Sequence, residues 1–184
     1  MTRTISGTYA STVTLTSVSD NPVSVTGNIT AVANNGLYGI GGESNAWTIT
    51  NYGVIVGGSN DGTGIALGGG YGPSGPPSYL RVNSSIVTNA TGGTISGPVG
   101  IHIVGYANQP ETVINQVGGT ITGYYAGVIL ETQTSANEAT VVNSGVISAS
   151  STFSGDGGVF YQKAAWLPII AAPLFMDTMM LYDR

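Results

Sequence analysis

Nine carboxylates and one imidazole are the side chains of this chain that could carry out acid–base chemistry. Enzymes that cleave pectin-like polysaccharides need carboxylates that converge on one face, alone or with a basic side chain. Here the carboxylates occupy different positions of the repeat described below, and Glu111, Glu131 and Glu138 lie in or beside predicted turns. We therefore expect these three to be solvated surface charges, and we predict no catalytic residue and no bound cofactor.

The single histidine, His102, lies between two apolar residues, Ile101 and Ile103. In a strand these neighbours face the core together, so the imidazole is predicted to face outward into solvent. Its repeat equivalents, Ala66 and Ile129, could not ligate a metal. We predict no metal site.

Two glycine-rich stretches resemble ligand-binding loops, but neither has the residues such a loop requires. GGSNDGTG (57–64) carries one Asp and no tandem copy, which favours a turn over a calcium-binding repeat. GGGYGPSGPP (68–77) lacks the Lys-Ser/Thr of a phosphate loop. It predicts an exposed loop, and Tyr71 and Tyr79 make it the predicted surface-binding loop.

The composition excludes some classes of partner and favours strands. Four Lys and Arg against nine Asp and Glu give a net charge of −5, and the basic residues lie far apart, so we expect no nucleic-acid partner. Twenty-nine Gly among many Thr, Ser, Asn and Val favour short strands and turns, and 41% apolar residues predict a packed core. There is no Cys and no apolar segment of the kind that a targeting signal or a membrane helix requires.

A repeat of about 26 residues organises the chain. It is marked by an isoleucine after each predicted turn, and the successive residue numbers differ by 26, 40, 26 and 26: Ile29, Ile55, Ile95, Ile121 and Ile147. The longer interval contains an inserted loop at about 68–79, because Pro and Gly at this density cannot continue a strand. The spacing predicts a solenoid with one coil per repeat.

An asparagine recurs two residues after an apolar residue, at the end of the first strand of each coil. Residues two apart on a strand share a face, so these side chains are predicted to point inward. Stacked about 4.8 Å apart, they could satisfy one another's amide groups. This predicts a structural ladder of Asn51, Asn89, Asn115 and Asn143. The preceding coil has Gly27 at the equivalent place and is expected to lie outside the ladder.

Two further short strands complete each predicted coil. Small residues follow the aligned isoleucine by two positions and permit a sharp bend, and a third strand follows them: GIAL (64–67), GIHI (100–103) and GVIL (127–130). The sequence therefore predicts an all-β, three-sided, single-stranded parallel β-helix of five aligned coils over residues 1–160. The general preference for right-handed crossovers makes a right-handed coil the expectation.

Residues 161–184 form a predicted apolar tail that does not follow the repeat. Three interpretations stay open. The tail caps the last coil, or it docks on a partner, or it is no functional part of the parent family because the reading frame has drifted.

The coils VTNATGGTISGPVGIHI (87–103), VINQVGGTITGYYAGVIL (113–130) and VVNSGVISA (141–149) resemble those of bacterial autotransporter passenger domains. The resemblance covers roughly residues 5–160 and implies a right-handed β-helix that serves as a stalk or adhesin at the cell surface. It also implies an export signal and an outer-membrane β-barrel, both expected to be absent from this chain. The partners it implies are surface glycans or host and cell-surface proteins.

Two alternative functions remain beside this adhesive interpretation. The first is a fragment of a β-helical protein that binds or degrades polysaccharide. The second is a module whose flat, threonine-rich face binds ice or glycans, although Ile114 and Val142 interrupt the threonine array.

Overall fold

The computed structural model describes residues 2–41, 45–59, 62–68, 81–105, 109–131, 139–151 and 157–162. Within these ranges the chain is all-β apart from one 3-10 turn, Val18–Asp20, and contains no α-helix. The strands in chain order are β1 (Arg3–Ile5), β2 (Thr8–Tyr9), β3 (Val13–Leu15), β4 (Val23–Val25), β5 (Asn28–Thr30), β6 (Leu37–Gly39), β7 (Ala46–Asn51), β8 (Val54–Val56), β9 (Thr63–Leu67), β10 (Asn83–Asn89), β11 (Thr94–Val104), β12 (Thr112–Asn115), β13 (Thr120–Glu131), β14 (Thr140–Asn143), β15 (Val146–Ala149) and β16 (Gly157–Gln162).

All pairings between these strands are parallel, and they build two sheets. The six-stranded sheet, which we call the first stack, has the order β1-β4-β7-β10-β12-β14. The ten-stranded sheet contains two stacks, because the two halves of β11 and of β13 pair with different neighbours. The second stack is β2, β5, β8, the first halves of β11 and β13, and β15; the third is β3, β6, β9, the second halves, and β16.

The chain visits the three stacks in the same order in each of six rounds within the described residues. The predicted isoleucine column is confirmed, since each member pairs with the next across the second stack. The prediction of five coils is too low, because β1, β2 and β3 form an earlier round. That round is shorter, with Thr8 paired to Asn28, and the sequence period therefore does not reveal it.

The expectation of three separate strands per coil is wrong for two rounds. β11 and β13 each run unbroken from the second stack into the third, because parallel pairing between them continues past the bend. The bend itself is present as a register shift between Gly97 and Val99. At Gly123 the chain turns so tightly that an added Cβ would collide with the backbone carbonyl of Ala126.

The core lies inside the three stacks and consists mainly of inward-facing Ile, Leu and Val. Two-residue alternation delivers these side chains from each strand, and the aligned isoleucines are fully buried from Ile29 to Ile121. The largest buried side chain is Trp47, which is 0% exposed and whose indole Nε1 donates to the Ile40 carbonyl at 3.2 Å. Each layer thus buries its apolar surface only against its neighbours, as in a solenoid-like arrangement.

The predicted loop at 68–79 lies outside the described residues except for Gly68, and so do Tyr71 and Tyr79. The predicted tail is described only as far as Gln162, where β16 ends. In the part of the chain that the structure describes, no helix has the length and apolarity needed to cross a membrane.

Gly123→Ala should destabilise the protein by about 3 kcal/mol, because its Cβ can be placed only by moving backbone. The measurement is the free energy of unfolding in urea, followed by circular dichroism. Gly158→Ala is the matched control, since its Cβ would meet its nearest neighbour, the Ile147 carbonyl oxygen, at 3.2 Å; we expect a change within about 1 kcal/mol. Equal effects of the two substitutions would contradict this account of the bend.

Candidate functional site: the asparagine column and the polar cluster

Four asparagines at the ends of β7, β10, β12 and β14 form one hydrogen-bonded column inside the first stack. The strands pair so that Asn51, Asn89, Asn115 and Asn143 lie in register. Each Nδ2 donates to the Oδ1 of the next asparagine, at 2.9 Å in all three steps. The first three side chains are fully buried, and Asn143 is half-buried.

The same amides also satisfy the turns that follow the strands. Asn89 Nδ2 donates to the carbonyls of Gly93 and Thr120, and Asn115 Nδ2 donates to those of Gly119 and Val146. Each of these donors therefore ties its own turn to the next layer. Gly92 in the intervening turn has a φ of 80°, a conformation that glycine adopts without strain.

The column begins at Asn51, and the layer before it offers no amide. Val25 is the residue paired with Asn51, so the prediction that Gly27 occupies this position is wrong by two residues. Val25 lies 26 residues before Asn51, so the repeat length itself gives the observed partner. Asn51 Oδ1 accepts instead from the backbone N–H of Gly53, at 3.1 Å.

Asn115→Ala should cost about 3 kcal/mol of folding free energy, because it leaves the Asn89 donor and two turn carbonyls without this partner inside the protein. Asn143→Ala should cost less, about 1 kcal/mol, since its side chain is only half-buried. Urea unfolding measures both. The exposed neighbour Gln116 provides the control, and Gln116→Ala should change stability by less than about 0.5 kcal/mol. A loss at Asn143 equal to that at Asn115 would contradict a graded column.

A second group of polar residues lies at the opposite end of the same strands, where β10 carries a bulge. Asn83 pairs with Ala46 and Ile86 with Thr48, so β10 has one residue more than β7 between these points. The side chain of Ser85 repairs the interrupted ladder: its Oγ accepts from the Trp47 N–H at 3.0 Å and donates to the Asn83 carbonyl at 2.7 Å. We call Trp47, Ser85, Gly105 and Glu111 the bulge cluster.

Glu111 closes the other side of this bulge. Its Oε2 accepts from the Ser85 N–H at 2.7 Å, and the residue is 0% exposed. Burial raises the pKa of the Glu111 carboxyl to about 8, opposed by the Ser85 hydrogen bond. The prediction of a solvated surface charge is therefore wrong for Glu111, because the residue before β12 faces the core in the same column as Ser85 and Ala139.

His102 and Glu131 form a pair on the outer side of the third stack. His102 Nε2 lies 3.1 Å from Glu131 Oε1, and the contact with His102, against partial burial, holds the pKa of Glu131 below its usual range. The imidazole faces away from the core, between buried Ile101 and Ile103, yet it is only 3% exposed. The prediction that it faces solvent is wrong: a residue on the outer side of a strand is not necessarily exposed.

The two environments shift the pKa values of Glu111 and Glu131 in opposite directions, but the two carboxyl groups do not form a catalytic pair. Glu111 belongs to the inward column, whereas Glu131 contacts the outward-facing His102. Among the described residues no three His, Asp or Glu side chains are arranged to hold a metal ion. Glu138 lies outside the described residues.

Sequence reasoning missed the bulge cluster although a signal was present. The alternation that places Val113 and Asn115 inward extends one step back to Glu111, and in the preceding layer it extends from Val87 to Ser85. Following the alternation past the apolar residues would have predicted a buried carboxyl.

Comparisons of the chain with protein-family models, with curated proteins and with solved structures find no match. Function has to be inferred from the geometry of the chain itself.

Proposed function

We propose that this chain is a segment of a right-handed, three-sided parallel β-helix with about 26 residues per coil. We further propose that it is a structural or adhesive passenger segment of an autotransporter-like protein at the cell surface. The observation that carries the proposal is the asparagine column, in which buried amides join successive layers at 2.9 Å.

A scaffold role fits the use that the chain makes of its polar residues. The buried asparagines and Ser85 bond to the backbone or to one another, which rigidifies the stack. A rigid stack of layers that contact only their neighbours can be lengthened by adding coils, as a surface stalk requires. The proposal includes no enzymatic activity and no cofactor.

The partners proposed for this segment are surface glycans or host and cell-surface proteins. Nucleic acid is not among them, because the net charge is −5 and the two arginines of the described region already serve the fold. Arg3 pairs with Asp20 at 2.9 Å, and Arg81 donates to the Gly105 carbonyl at 3.0 Å.

The alternative function is that of a β-helical fragment that binds or degrades polysaccharide. It is favoured by two exposed tyrosines at the bend of β13, Tyr124 and Tyr125. Their rings meet edge to face with centroids 4.8 Å apart. Exposed aromatic faces with a polar hydroxyl are suited to contacts with sugar rings.

The proposed role predicts that the chain, placed between an export signal and an outer-membrane anchor, is displayed in folded form on bacterial cells. Surface exposure is measured by antibody labelling and by protease removal from intact cells, and adhesion by retention on glycan-coated and protein-coated surfaces. The same fusion carrying Asn89→Ala and Asn115→Ala is the control, because a broken column should reduce display. Display without retention on any of these surfaces would leave a stalk and contradict an adhesin.

The alternative predicts that the purified chain releases reducing ends or unsaturated sugars from an acidic polysaccharide, or binds one through Tyr124 and Tyr125. Turnover would overturn the proposed role. Binding that is lost in a Tyr124→Ala, Tyr125→Ala double variant, with unchanged unfolding free energy, would support the alternative.

A crystal structure with left-handed coils would contradict the proposed architecture.

A further inference from the structure

The strands β7, β10 and β12 lie side by side in the first stack, and we call the contact between them the joint. At the bulged end of β10, side-chain hydrogen bonds hold the joint together. The Trp47 N–H donates to the Ser85 hydroxyl, and the Ser85 N–H donates to the Glu111 carboxyl. At the other end of the same strands, the asparagine column closes the joint with amides that carry no charge. One end of the joint therefore depends on a titratable group, and the other end does not.

The carboxyl of Glu111 occupies a site that fits its uncharged form. Ser85 and Ala139 lie beside it in the inward column, and Gly105 packs so closely that an added Cβ there would lie 2.6 Å from Oε1. Oε2 has the single hydrogen bond from Ser85, and Oε1 has no hydrogen-bond partner among the described residues. A buried carboxylate with one neutral donor lacks the solvation that a charge requires.

The charged groups on the neighbouring elements do not supply that solvation. In the described region, the elements that pack against Glu111 present Ser85 from β10, Ala139 before β14 and Gly105 after β11, none of which is titratable. Arg81, His102 and Glu131 are the nearby titratable groups of the described region. Arg81 donates to the carbonyl of Gly105, and His102 and Glu131 contact each other on the outer face.

We propose that Glu111 is a proton-dependent latch, which holds the bulged end of β10 against β12 while it is uncharged and releases this end when it loses its proton. Release is local, because the asparagine column holds the other end of both strands and carries no titratable group. The inference goes beyond the scaffold role and does not depend on the location or partners of the protein.

The direction of the pH dependence follows from the two states of the joint. In the released state the carboxyl is solvated and has its ordinary pKa of 4.5, whereas in the closed state burial raises the pKa to about 8. At a pH between these two pKa values, the Glu111 carboxyl loses its proton when the joint opens. The opening equilibrium therefore becomes about tenfold more favourable for each pH unit from about 4.5 to about 8. Below and above this range the latch contributes no further pH dependence.

The test is amide hydrogen exchange of the Ser85 N–H, read by NMR in the full chain over this pH range. The wild type is compared with Glu111→Gln at each pH, so that the intrinsic pH dependence of exchange cancels. We expect the ratio of opening constants, wild type to variant, to rise about tenfold per pH unit across the range. The backbone N–H of Gln116, which bonds to Asn89 beside the asparagine column, should show no such rise.

Glu131→Gln is the matched control, because it removes a carboxyl on the outer face, and the Ser85 response should persist in it. If Ser85 responds to pH equally in Glu111→Gln and wild type, the latch is refuted. If Gln116 opens together with Ser85, release is global and the proposal is equally overturned. Should Glu111→Gln fail to fold, a carboxyl titration of Glu111 in the wild type decides: a midpoint near 4.5 refutes the latch, and one near 8 supports it.

Discussion

The need to satisfy buried amide groups is the constraint on which the rest of this structure depends. An asparagine side chain inside a solenoid-like stack would be costly without hydrogen bonds, and each of the first three in the column finds an acceptor on the next layer. A slip of one residue in the layer of β10 or of β12 would turn its asparagine to the outer face and leave two neighbouring asparagines without this partner. The column therefore fixes the register of β7, β10, β12 and β14, and the same amides also tie in the turns that follow these strands.

The polar cluster at the bulged end shows what happens where this regularity is interrupted. The long interval between β9 and β10 adds residues to one round, and β10 enters the first stack with a bulge. Backbone groups that would otherwise pair with each other are satisfied by the side chains of Ser85 and Glu111. A carboxyl in this role introduces a dependence on protonation into a scaffold whose other buried polar contacts in the described region are mostly neutral.

The regular and irregular parts of the chain contribute different properties to the molecule. The stacks supply a stiff frame with few charges, which is what the proposed stalk or adhesin role would require of most of its length. The exposed tyrosines at the bend of β13 are supported by the frame but do not contribute to its register. At such exposed positions on a rigid frame, a binding preference can change without a change in the fold.

The sequence by itself determined the periodic features of the protein. The aligned isoleucines and the asparagines could be predicted from their spacing. In parallel stacked layers a residue contacts its own repeat equivalent, so the repeat length gives the contacts between layers. Parallel strands and an inward apolar face followed from alternation and composition.

Only the tertiary structure decided which polar side chains are buried and where strands merge. Glu111 and His102 differ from their repeat equivalents, so their environments depend on contacts between layers rather than on the period. β11 and β13 continue through a bend because they pair with each other on both sides of it. The physical reason is the same in each case: spacing records the direction of a side chain, whereas burial and pairing depend on what lies opposite it.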